Sequence, residues 1–165
     1  MLYSSIVVVL LSGLTYEAPD GWNAEESPSR MRLAQWELPG ASGEGAEAII
    51  FFFGEGGGGG VDANLDRWFG QFEQPDGSST RAGATISHRE SEGLKLTIAD
   101  MRGTYVAPVR PGSSERHNKP RQRMIAAVVE GSGGPWFVRV LGAEATVARW
   151  ESSIDSFLSS FALEP

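Results

Sequence analysis

Apolar residues recur along the chain with two different periods, and this separates predicted strands from predicted helices. Alternation over residues 14–18 and 31–38 predicts β-strands, and residues 82–90 and 94–106 are two more strands joined by a turn at 91–93. The continuously apolar stretch 46–53 predicts a strand buried on both faces and therefore central in its sheet. Residues 124–130 and 136–141 form a predicted hairpin around the Gly- and Pro-containing turn at 131–135.

Two segments have helical spacing instead. Leu65, Trp68, Phe69 and Phe72 fall on one face of a predicted helix over residues 61–72, where Asp62 is placed to cap the first turn. A second predicted helix covers residues 143–161, because its apolar residues recur at intervals of three, four and seven. These residues are Val147, Trp150, Ile154, Phe157, Leu158 and Phe161.

This order of elements predicts an α+β fold. Strands joined by short turns pair antiparallel, so we expect a mostly antiparallel sheet of about six or seven strands. Each predicted helix has one apolar stripe and must bury it against that sheet. Residues 14–165 are predicted to form a single domain.

The first 13 residues have two interpretations. Residues 6–11 are apolar but too few to span a bilayer, which takes about 20 residues. No Lys or Arg precedes them, as a typical export signal would require. Residues 1–13 are therefore either the remnant of an export signal or a leading strand.

Composition excludes several kinds of chemistry. The 165 residues include no cysteine, which excludes disulfides, Cys-ligated zinc, iron–sulfur clusters and thiol catalysis. The net charge of −7 disfavours non-specific binding of nucleic acid.

The charge is unevenly distributed. Residues 1–76 carry three cations against twelve acids, whereas residues 107–123 carry five cations against Glu115 alone. This basic segment contains three prolines, so it is predicted to be a loop. It can recruit an acidic or envelope-associated protein, which is favoured, or anionic lipid, or it can remain a solvated loop. It lacks the aromatic residues on which bases stack, so nucleic acid is disfavoured. The candidate partner-binding residues are Arg110, Arg116, His117, Lys119, Arg121 and Arg123.

The glycine-rich loop, residues 54–60, offers a second candidate site. It matches the G-x-G-x-x-G pattern between a strand and a helix, but any glycine run does so, and nearby acids would repel a pyrophosphate. The spacing Asp62-x-Asn64-x-Asp66 resembles the start of a calcium loop, although the glycine and glutamate that should follow are missing. The candidate ligand-binding residues here are Glu55, Asp62, Asn64, Asp66 and Arg67. Alternatively, Arg67 ties the helix to the sheet.

Catalysis is the less favoured class of function. Neither His88 nor His117 has sequence neighbours that suggest an acid–histidine–nucleophile triad, although triads are assembled in space. The alternatives to a binding module are a small hydrolase using a histidine or a carboxylate near Asp62, and a metal- or anion-binding domain centred on residues 54–66. We assign no catalytic residue, cofactor or metal.

Several short motifs carry a resemblance to a known fold group. Ala18-Pro19-x-Gly21-Trp22 near the start, and the segment Trp136 to Gly142 leading into a long helix, resemble the Mog1/PsbP-like fold over residues 14–163. The stretch Asn64-Leu65-x-Arg67-Trp68-x-x-Gln71-Phe72 resembles a motif of uncharacterised bacterial exported proteins.

The resemblance implies a binding module, because members of this fold group are more often adaptors and assembly factors than enzymes. It transfers no catalytic residue. It favours a periplasmic or extracytoplasmic site over a cytoplasmic one, but the chain lacks the lipobox cysteine or clear signal that exported relatives carry. We expect a non-catalytic binding or assembly module, and we expect no membrane span.

Overall fold

The computed structural model describes the backbone of residues 7–9 and all of residues 13–27 and 29–165. Residues 1–6 and 10–12 of the segment interpreted as an export-signal remnant or a leading strand lie outside this part of the chain. Residues 7–9 form a strand that pairs antiparallel with the next one. The eleven described strands are β1 (Val7–Val9), β2 (Leu14–Glu17), β3 (Asn23–Glu25), β4 (Arg32–Leu38), β5 (Ala46–Phe51), β6 (Phe72–Glu73), β7 (Thr85–Ser91), β8 (Leu94–Tyr105), β9 (Lys119–Glu130), β10 (Trp136–Ala143) and β11 (Ala162–Leu163).

The α+β prediction is confirmed, with a larger sheet than expected. Eight strands form an antiparallel sheet in the order β3-β4-β5-β10-β9-β8-β6, and β7 pairs with the other part of β8. Strands β1, β2 and β11 form a separate three-stranded sheet. Strand β5 is central as predicted, since it lies between β4 and β10 and both Ile49 and Ile50 are fully buried.

The described helices are α1 (Val61–Phe69), α2 (Thr80–Gly83), α3 (Glu144–Arg149) and α4 (Glu151–Ser159). They cover opposite faces of the large sheet. Helix α1 packs Leu65, Trp68 and Phe69 into one core cluster, whereas α3 and α4 pack into another. Adjacent residues such as Phe137 and Val138 belong to different clusters, because side chains alternate between the faces of a strand.

Four predicted boundaries are wrong. The first helix ends at Phe69, and Phe72 belongs to β6. Residues 80–83 form a helical turn where a strand was expected to begin. The long C-terminal helix is interrupted at Trp150, whose φ of −98° and ψ of 10° separate α3 from α4. Finally, residues 119–123 belong to β9 and not to a loop, because their backbone pairs with β8.

Candidate partner-binding surface

The basic segment is an ordered projection. Its arms are joined by a bridge between Pro108 and Arg116 and by two backbone hydrogen bonds. The amide of Val109 donates to the carbonyl of Glu115 at 2.9 Å, and the amide of His117 donates to that of Ala107 at 2.9 Å. Backbone pairing therefore fixes where the cationic side chains emerge.

Four cations of this segment are exposed and have no ion-pair or side-chain hydrogen-bond partner within the described residues: Arg110, Arg116, Lys119 and Arg121. By contrast, Arg81, Arg89 and Arg102 each pair with a carboxylate. The basic segment thus presents positive charge that no acid of the described chain neutralises.

A β-bulge distorts the backbone where the segment enters the sheet. Gly103 pairs with Gln122 and Tyr105 pairs with Lys119, so β9 has one residue more than β8 between these pairs. Arg121 adopts a φ of +53°, a conformation that costs a non-glycine residue about 1–2 kcal/mol. Bulges of this kind are common beside functional sites, where they redirect side chains.

His117 and Lys119 also line a groove of about 620 Å³ on the sheet face that α1 covers only in part. The ring of His117 stacks on Tyr105 at 5.3 Å. Burial raises the pKa of Tyr105, with Arg139 opposing this effect and Glu47 adding to it. The charged and polar lining residues are Glu25, Glu37, Glu44, Glu47, Tyr105, His117, Lys119, Gln122 and Arg139.

Charge is segregated across this groove. Glu25, Glu37 and Glu47 lie on β3, β4 and β5, while the cations lie on β10 and at the start of β9. Glu37 and Glu47 are directly opposite each other in the β4–β5 register. The cationic side of the groove is continuous with the basic segment.

Arg123 lies apart from this exposed set. Its side chain is only 3% exposed and donates to both carboxylate oxygens of Asp100, at 2.9 and 2.7 Å. A third bond reaches Glu151 at 3.2 Å, and the hydrogen bonds to Asp100 raise the pKa of Arg123. Arg123 therefore ties the sheet to α4 and is not available to a partner.

The acidic residues near the glycine-rich loop do not converge. Glu55 and Asp62 are exposed, and Asp66 pairs with Arg81 at 2.5 Å. No group of three or more His, Asp or Glu side chains that could hold a metal ion occurs in the described residues.

Asn64 and Arg67 have structural contacts instead. The buried Asn64 amide donates to the carbonyls of Gly58 and Gly60 at 3.0 and 2.8 Å. Arg67 donates to the Asn64 carbonyl oxygen at 2.5 Å, rather than to Asp62, Asp66 or a sheet carboxylate. Asn64 thus stabilises the glycine-rich loop through hydrogen bonds to its backbone.

The histidines do not form a triad within the described residues. His88 Nδ1 lies 3.4 Å from the Thr97 hydroxyl, and His117 stacks on Tyr105. Neither ring has a carboxylate hydrogen-bond partner in this part of the chain.

Sequence reasoning missed Arg139. This residue is a lone cation among the apolar residues of β10, and it lies 3.6 Å from Glu47 and 5.5 Å from the Phe51 ring centre. It lines both the charged groove and a small aromatic pocket beside α1. A single arginine within an otherwise apolar central strand was the available signal.

The fold is similar to that of a known protein. The chain matches the solution structure of cyanobacterial PsbP (CyanoP) from Synechocystis sp. PCC 6803 with a TM-score of 0.52 and 16% identity, over 92% of this chain and 87% of that one. No family model matches the chain, and no curated protein matches it. The likeness shows a PsbP-like fold.

No helix in the described part of the chain is both long and apolar enough to cross a membrane.

Proposed function

We propose that this chain is a non-catalytic binding or assembly module that docks an acidic protein partner through its basic segment. The observation that carries the proposal is the set of four exposed cations without an acidic partner in the described chain, at Arg110, Arg116, Lys119 and Arg121. The overall charge of −7 makes this concentration of positive charge unusual for the molecule.

The local structure supports a docking role over that of a solvated loop. Backbone hydrogen bonds across the projection hold its arms together, so the backbone that carries the cations needs little ordering on binding. The αL conformation of Arg121 adds strain next to the same surface. The adaptor or assembly role implied by the Mog1/PsbP resemblance agrees with this proposal.

A charge-matched pair of triple variants tests it. The first changes Arg116, Lys119 and Arg121 to Gln, and the control changes the exposed residues Arg30, Lys95 and Arg149 to Gln. Both sets lower the net charge by three. Each protein is immobilised and used to capture partners from an extract of cells that make it, with and without nuclease.

The expected result is a protein retained by the wild type and the control but lost from the basic-segment variant. Equal retention by all three proteins, or equal loss from both variants, would contradict the docking role. Retention that disappears on nuclease treatment would identify nucleic acid as the partner class and overturn the proposal.

A further inference from the structure

A small aromatic pocket lies between α1, the end of β5 and the start of β10. Its volume is about 110 Å³, and its walls are the rings of Phe53, Trp68 and Phe137. Phe53 remains 41% exposed, although its ring stacks on Phe51 at 6.1 Å. A cavity of about 150 Å³ can hold benzene, so this smaller pocket has room for one aliphatic side chain.

The glycine-rich loop shapes the pocket. A Cβ on Gly58 would lie 2.4 Å from Phe137 and 2.9 Å from Phe53, so only glycine allows the loop to approach both rings. Gly58 also adopts a φ of +88°. Its carbonyl is held by the Asn64 side chain, which in turn fixes Arg67 at the pocket.

Three polar groups surround this apolar space. Gln71 Oε1 is buried and accepts no hydrogen bond from any described residue, which is costly for an amide oxygen. Arg67 and Arg139 also line the pocket, whose lining includes no Asp or Glu. The Arg139 side chain makes no hydrogen bond in the described chain, but it forms an ion pair with Glu47 at a nitrogen–oxygen distance of 3.6 Å. The pocket therefore offers an apolar cavity lined by two arginines.

We infer that this pocket binds a peptide segment in which an apolar side chain is followed by a carboxylate. The side chain fills the space between Phe53, Trp68 and Phe137, and the carboxylate binds Arg139 and Arg67. This inference rests on the proposed function and gives the acidic partner a specific contact.

The location agrees with a partner that also reaches the basic segment. Arg139 lines both the aromatic pocket and the charged groove, and His117 and Lys119 line the same groove. An extended peptide anchored in the pocket can continue past Arg139 toward these cations.

The inference also accounts for the Asn64–Phe72 motif. Arg67, Trp68 and Gln71 line the pocket, and Asn64 braces the loop that closes it. Helix α1 and the turn that follows it therefore supply Arg67, Trp68 and Gln71 to the pocket.

The test uses short Gly/Ser peptides with a central Leu-Asp pair and follows NMR signals of the Gln71 side-chain amide and the Trp68 indole. Two control peptides carry Leu-Asn or Ser-Asp. The wild type is compared with Arg139→Gln and Phe53→Ser, and the matched controls are Arg30→Gln and Ile86→Ser. Ile86 is 38% exposed, close to the 41% of Phe53. A dispersed spectrum confirms that each variant is folded.

We expect the Leu-Asp peptide to shift both signals, and both control peptides to bind about tenfold more weakly. Arg139→Gln and Phe53→Ser should weaken binding by a similar factor, whereas the matched controls should not. The inference is overturned if millimolar Leu-Asp peptide shifts neither signal, or if either control peptide binds as well. It is also overturned if 3-phenylpropionate binds more tightly than the peptide, which would indicate a small-molecule carboxylate site.

The basic-segment triple variant separates this inference from the proposed function. If it loses its captured partner but still binds the Leu-Asp peptide, both stand. The other outcome is that the triple variant captures the partner as well as the wild type does, while the peptide binds only proteins with an intact pocket. In that case the proposed docking role of the basic segment is wrong, and the inference about the pocket stands.

Discussion

Arg123 joins two structural elements through a single buried guanidinium. It contacts Asp100 on β8 and Glu151 on α4, so one side chain connects the middle of the sheet to the C-terminal helix. Its cationic neighbours in the basic segment have no such contacts in the described chain. Residues that look equivalent in sequence therefore differ in role.

Replacing Arg123 by Gln should lower the free energy of unfolding by about 3 kcal/mol, because Asp100 loses its buried partner. Arg102→Gln is the matched control, since Arg102 pairs with Glu144 at 3.0 Å but is about half exposed. Urea denaturation should show a loss below about 1 kcal/mol for this control. Equal losses would mean that Arg123 is no more than a surface contact.

Tyr16 provides a prediction about alkaline pH. Burial raises the pKa of Tyr16 to about 12 from its ordinary value of 10.0. The neutral phenol therefore stabilises the fold fully below pH 10, and this stabilisation is lost as the pH rises from 10 to 12. The wild type should lose about 2 kcal/mol more than Tyr16→Phe over this interval in denaturant titrations. Equal losses of unfolding free energy in the two proteins would contradict the raised pKa of Tyr16.

At the scale of elements, the glycine-rich loop needs glycine at position 58 for two reasons: a positive φ angle and close packing against aromatic rings. Gly58→Ala should lower the free energy of unfolding by about 2–4 kcal/mol, combining the cost of positive φ with a clash against Phe137. Gly56→Ala is the control, because Gly56 has a φ of +74° and open space around its Cβ position. Its loss should be about 1–2 kcal/mol in the same denaturation experiment. Identical losses would show that the clash is relieved.

Trp150 stabilises the interruption between α3 and α4. Its indole N–H donates to the carbonyl of Pro39 at 2.8 Å, and its ring covers Gly21. Trp150→Phe should cost about 1 kcal/mol through the lost hydrogen bond. Trp150→Ala should cost about 3 kcal/mol, because the ring is half-buried. Thermal unfolding monitored by circular dichroism measures both, and a silent Trp150→Phe would argue against the hydrogen bond.

The spacing of apolar residues predicted the elements in which buried positions follow a simple sequence pattern. Alternation located β4, and the continuous apolar run located β5 in the centre of the sheet. The start of β9 was missed because Lys119 and Arg121 are polar and Pro120 favours a loop, while their strand pairing is made by a distant partner, β8. The interruption at Trp150 was missed because its spacing fits a continuous helix.

The candidate sites were predictable only in part. A cluster of cations is visible in sequence, so the basic segment was found, but burial of Arg123 depends on Asp100, which is 23 residues away. The Asn64–Phe72 motif is visible in the sequence, but the pocket that it lines is not. That pocket also needs Phe53, which follows β5, and Phe137 and Arg139 on β10, and only the fold brings them to α1.

At the scale of the whole molecule, charge and fold lead to one functional expectation. A PsbP-like fold positions an ordered cationic projection beside a charged groove and an aromatic pocket. The rest of the chain is acidic, so the proposed acidic partner would meet long-range repulsion from the whole molecule and short-range attraction from the basic segment. Orientation of the partner should therefore depend on the basic segment.

The most direct test is the association rate with the captured partner, measured against ionic strength. The Arg116, Lys119 and Arg121 to Gln variant should associate about tenfold more slowly than the wild type at low salt, and its salt dependence should be weaker. The Arg30, Lys95 and Arg149 variant has the same net charge and adds only to the long-range repulsion, so it should be slowed much less. Identical rates and salt dependence in all three proteins would contradict a docking role for the basic segment.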